Sequence, residues 1–114
     1  MAVFNGAFPV LPGKEDKVRA FAKECAGPRK RQFDEGQSRV GTTRETWALQ
    51  PTPAGSFVLV WFDGDVDAAF EDLATAQDEF SIWFRAQIEE ITGVDMSQPP
   101  EEGSAPEMIF EWEA

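Results

Sequence analysis

The run Phe57-Val58-Leu59-Val60-Trp61-Phe62 holds no polar side chain in six consecutive positions. In an extended strand, successive side chains point to opposite faces, so this run places apolar groups on both sides of a sheet. The chain's own helices can cover one side. The other side needs a second copy or a ligand. The sequence is 114 residues long, which suits one domain over residues 1–114. A compact monomer of 12.7 kDa would expose roughly 6,200 Å².

Working outward from the run, residues 42–50 read as a preceding strand. Pro51-Thr52-Pro53-Ala54-Gly55 between the two is a hairpin turn, with proline and glycine at the positions a type I turn favours. Residues 2–9 form an earlier strand, ended by Pro9 and Pro12. Between the first two strands, Val18, Phe21, Ala22 and Cys25 follow the spacing of one buried helix face. Gly27-Pro28 breaks that helix, and a second piece over about 29–37 carries Phe33. After the run, Asp63, Asp65 or Asp67 can cap a helix containing Phe70 and Leu73. Thr75-Ala-Gln-Asp78 has the form of a capping box, which restarts a helix near 76 with Phe80, Phe84, Ile88 and Ile91 on one face. Residues 94–106 are a loop rich in Pro, Gly and Glu. A last strand is expected over 107–113, where Met108, Phe110 and Trp112 alternate with Glu107, Ile109, Glu111 and Glu113.

The resulting order is β-α-β-β-α-β. It predicts an α+β ferredoxin-like fold: a four-stranded antiparallel sheet ordered 4-1-3-2, with two helices on one face. A two-fold copy packed on the bare face predicts a homodimer.

Composition restricts the chemistry. There is no histidine and no tyrosine. That excludes a Ser-His-Asp or Cys-His machine within the chain, a histidine-ligated haem and the usual zinc sites. Asp63-Gly-Asp65-Val-Asp67 begins like a calcium loop, but Ala68 and Ala74 stand where that motif needs Gly and Glu. No metal and no cofactor are expected. Cys25 has no partner for an internal disulfide, and its place on an apolar helix face marks it as an inert hydrophobe. Any acid or base must be a carboxylate, a lysine or Cys25.

Charge is uneven along the chain. Residues 1–44 carry nine Lys/Arg against five Asp/Glu, whereas residues 45–114 carry Arg85 alone against sixteen acids. The net charge of −11 disfavours nucleic acid and anionic membranes as partners. The N-terminal residues lack the pattern of a signal peptide and no run is long enough to span a bilayer, so a cytoplasmic location is expected.

Six residues are candidates for ligand contact. Trp47, Trp61 and Trp83 can wall a pocket or fill core and interface. Arg44, in a strand, and Arg85, isolated among acids, can orient a polar head or form ion pairs, Arg85 with Glu89 for example. Asn5, midway along an expected central strand, either pairs with backbone or faces the cavity.

With Thr43-Arg44-Glu45-Thr46-Trp47, Val60-Trp61-Phe62 and Trp83-Phe84-Arg85 leading to Thr92-Gly93-Val94-Asp95, this element order resembles the dimeric α/β-barrel superfamily. That group includes antibiotic-biosynthesis monooxygenases, stress-responsive barrel proteins and muconolactone isomerases. The chain looks most similar to a small uncharacterised bacterial family within it. The resemblance implies a ligand cavity between sheet and helices. Helix histidines of the oxygenase and haem-degrading members are absent from Phe70–Phe80. The expected role is therefore binding of a small, partly apolar, polar-headed or anionic-headed molecule. The alternative is a cofactor-independent oxygenase or isomerase with Glu45 or Asp78 as base.

Overall fold

A computed structural model describes residues 2–99 and 105–114. Seven elements follow in the order β1 (Ala2–Pro9), α1 (Glu15–Ala26), α2 (Lys30–Val40), β2 (Arg44–Thr52), β3 (Gly55–Gly64), α3 (Val66–Thr75) and α4 (Glu79–Thr92). The sheet is antiparallel with order β1-β3-β2, so β3, which contains the 57–62 run, is central.

This corrects the expected architecture in two respects. The sheet has three strands among the described residues, not four. Residues 107–113 form no strand, and Met108, Ile109, Phe110 and Trp112 are exposed. The alternation there defines an apolar side in an extended chain but supplies no neighbour to pair with. Among the described residues the helical layer holds four helices rather than two. Gly27 and Pro28 separate α1 from α2. Ala76, with ψ 136°, leaves the helical region and separates α3 from α4. The ferredoxin-like, dimeric-barrel description is not met. β1 is consequently an edge strand, and the expected central position of Asn5 is lost.

Register assigns the faces of β3. Phe4 lies opposite Phe62, Gly6 opposite Val60 and Phe8 opposite Val58. On the other side Glu45, Trp47 and Leu49 lie opposite the same three β3 residues. This set faces the helices. Phe57, Leu59 and Trp61, with Val3, Asn5, Ala7, Arg44 and Ala48, take the opposite face. Val10, Val18, Phe21, Cys25 and Ile91 are the buried core, with Phe33, Trp47 and Phe84 packed against it. The predicted face of α1 is the buried one.

Local signals account for the helix ends. Asp65 Oδ1 accepts from the Ala68 N–H at 3.0 Å and caps α3. Asp78 takes the N-cap of α4, its Oδ2 accepting from the Ser81 N–H at 3.2 Å, so Asp78 rather than Thr75 starts this helix. Hydrogen bonding to Ser81 holds the Asp78 carboxyl below its usual range. Gly41 and Gly93 close α2 and α4 in the left-handed conformation. At the end of β3, a Cβ on Gly64 would come within 2.8 Å of the Gly41 carbonyl oxygen, so the α2–β2 connection can press against this strand only at a glycine.

Candidate functional site

Between the helix-facing side of the sheet and the four helices lies a cavity of about 180 Å³. Phe4, Phe8, Val58, Val60 and Phe62 form its sheet wall; Phe21, Phe33, Phe70, Phe80 and Phe84 reach it from the helices. The rings are locked together. Phe70 meets Phe4 edge-on at 4.9 Å, Phe62 stacks on Phe4 at 5.2 Å, and Phe21 stacks on Trp47 at 5.2 Å. Gly6 makes room for this arrangement, because a Cβ there would lie 2.6 Å from the Phe4 ring.

Two carboxylates, Glu45 and Asp72, interrupt the mainly apolar wall. Glu45 lines the cavity from β2 and is half-buried. Its Oε2 accepts from the Trp47 indole N–H at 2.6 Å, and its Oε1 accepts from Gln37 Nε2 at 2.8 Å. Both oxygens act as acceptors, and each carboxylate oxygen has a second lone pair for a further donor. The Trp47 bond follows from strand geometry, since residues i and i+2 share a face. Gln37 comes from α2, one helical turn after Phe33, on the same side of the helix. Arg39 and Asp72, which also line the cavity, form a two-pronged bond at 2.9 Å for each prong, joining α2 to α3. That bond keeps Arg39 fully charged, its pKa raised further.

Of the six residues singled out from sequence, Trp47 lines this cavity. Trp61 and Arg44 sit on the opposite sheet face, the guanidinium 5.7 Å from the indole centroid. Asn5 is on that face too, and exposed. Trp83 packs on Phe21 and Phe80 and carries the Arg29 guanidinium 4.1 Å over its ring. Among the described residues Arg85 pairs with no carboxylate. Its Nη1 donates to the Leu73 carbonyl at 2.9 Å and the Ala76 carbonyl at 2.7 Å, closing the end of α3.

Sequence reasoning named Glu45 only as a possible base, and missed Gln37, Arg39 and Asp72. The spacing Glu45-Thr-Trp47 in an alternating strand was the signal available for the central hydrogen bond. Nothing local marks Gln37 or Asp72, because their roles depend on how α2 and α3 meet.

Cys25 is buried beneath the cavity region. Burial, then the negative charges of Glu24 and Glu45, push its thiol up to about 12 against the lowering effect of Arg29. That environment gives no thiolate nucleophile at neutral pH. Among the described residues no group of three or more Cys, Asp or Glu side chains is arranged to hold a metal ion. None of their helices is long and apolar enough to cross a membrane. No family model, curated protein or solved structure matches the chain.

Proposed function

We propose that the cavity binds a small, mainly apolar molecule whose hydrogen-bond-donating head meets Glu45. One observation carries this reading: the Glu45 carboxylate, oriented by Trp47 and Gln37, is set into a mainly apolar wall whose other carboxylate, Asp72, is already tied to Arg39. Unpaired polar groups in apolar surroundings are costly, so the remaining acceptor capacity of Glu45 favours a donor. An anionic head, one of the options open from sequence, is disfavoured because no free arginine faces the cavity and Glu45 repels it. Size follows from volume. An apolar cavity of about 150 Å³ holds benzene, so 180 Å³ suits a ligand of one or two fused rings.

Calorimetric titration with phenol, indole, toluene and benzoate tests this. Phenol and indole should bind, toluene about tenfold more weakly for want of one hydrogen bond, and benzoate most weakly. Glu45→Leu should abolish the preference of phenol over toluene. Equal affinity for benzoate and phenol, or no binding of any probe, would reject the reading.

The same carboxylate favours a second reading, proton transfer on a bound carbon acid, in which Glu45 accepts a C–H proton and returns it to the same or a neighbouring carbon. The motivation for two copies is the second sheet face. Leu59 is 40 % exposed, and Phe57 and Trp61 beside it are only half-covered. We take this face to pack against a second copy of the chain.

A further inference from the structure

Two unfilled features stand apart in this molecule. The first is the segment 107–112. Ile109, Phe110 and Trp112 are 87 %, 78 % and 74 % exposed, and Met108 is 51 % exposed. In an extended chain Met108, Phe110 and Trp112 project to one side, with Glu107, Ile109 and Glu111 on the other. The second is the free edge of β1. Among the described residues this strand has a neighbour on one side only. Among the described residues, positions 2–8 have no hydrogen-bond partner other than β3. On its helix-facing side β1 presents Phe4 and Phe8, and Phe70 packs on Phe4.

We propose that the 107–112 segment of one copy docks along the β1 edge of a second copy, reciprocally, so that Met108, Phe110 and Trp112 extend the partner's Phe4–Phe8 cavity wall. The proposal rests on the two-copy reading above and adds to it the residues that one copy lends to the other's site. Backbone pairing along the edge satisfies the outward N–H and C=O groups of β1, the usual mode of strand addition. Alternation then places Met108, Phe110 and Trp112 beside Phe4 and Phe8 and turns Glu107, Ile109 and Glu111 to the opposite sheet face, beside Val3, Asn5 and Ala7.

The area is sufficient. Phe110 and Trp112 together present about 300 Å² per copy. Reciprocal docking, with the matching surface covered on each receiver, removes about 1,200 Å², the lower bound of a specific stable interface. The molecule also exposes 7784 Å² in all, about a quarter more than the roughly 6,200 Å² for a compact monomer of this mass. A two-fold axis fills both features with one operation.

Sedimentation at tens of micromolar, with hydrogen exchange read at residues 2–8, tests the proposal on the full chain. The wild type should be two copies with slow exchange along β1. Phe110→Glu/Trp112→Glu alters only exposed side chains, and circular dichroism should match the wild type. It should weaken association at least 100-fold and speed exchange at 2–8, with residues 57–62 unchanged. If the wild type is two copies and the double variant remains so with slow β1 exchange, the docking is wrong and the two-copy reading survives. If the wild type is a monomer, both fall. Leu59→Glu separates them further: dissociation by this variant alone places the contact on the sheet face and overturns the edge contact.

Discussion

Glu45 and Trp47 share one face of β2, so the indole N–H reaches the carboxylate without any long-range arrangement. A charge-assisted bond of this kind is worth about 1.5–3 kcal/mol and fixes the direction of the remaining lone pairs. Cys25, close by in the core, illustrates the opposite treatment of an ionisable group. Its thiol is pushed from 9.0 to about 12, chiefly by burial. The unfolded chain ionises Cys25 first, so its contribution to stability is complete below about pH 9 and is lost as pH rises toward 12. Urea midpoints should therefore fall more between about pH 8.5 and pH 10.5 in the wild type than in Cys25→Val. An equal fall in both would show that the thiol is not responsible. Iodoacetamide should label Cys25 in urea and leave the folded protein unlabelled.

Arg85 holds two helices in relation to each other. From α4 it donates to two carbonyls at the end of α3, where helix carbonyls run out of intrahelical partners. Arg85→Leu should destabilise the protein by about 2 kcal/mol, measured by urea unfolding. Arg85→Lys should recover part of this, since the shorter lysine keeps the charge and several donors but does not carry them as far as Arg85 Nη1, which makes both bonds. A cost below about 0.5 kcal/mol would reduce the contact to surface decoration. Sequence patterns could not have revealed it, because a lone arginine among acids suggests ion pairs or ligands and says nothing of carbonyls a dozen residues away. Strands β1, β2 and β3, the Pro53-Ala54 turn and the apolar face of α1 were legible, each written in local periodicity. The face of β3 that meets the helices was not, because Phe57–Phe62 is apolar on both sides; register with Phe4, Trp47 and Glu45 decides it. The fourth strand failed for a related reason: alternation over 107–113 describes one side of an extended segment and cannot name the edge it pairs with. The cavity was expected between sheet and helices, but its aromatic wall comes from Phe residues on six elements.

The uneven charge of the chain is largely used within it. Lys14 and Lys17 pair with Glu90, Arg29 with Glu79, and Arg39 with Asp72, each tying the basic first part to the acidic second. Lys30 and Arg31 are likewise engaged, with Asp34 and Glu35. These pairs are mostly exposed and each is worth little alone, yet they leave no free basic patch there to attract an anion. The surplus remains −11 per copy. Two copies approaching each other therefore meet mutual repulsion, while the surfaces offered for contact, Leu59 and the 107–112 segment, gain from leaving water. The two forces respond differently to salt. Screening shortens the reach of charge from about 30 Å at 0.01 M to about 3 Å at 1 M, and leaves apolar burial intact. Self-association should therefore tighten as sodium chloride is raised over that range, with the sedimentation equilibrium moving toward two copies. Weakening with salt would mean that ion pairs, not the apolar surfaces, join the copies, and would count against both contacts assigned to them.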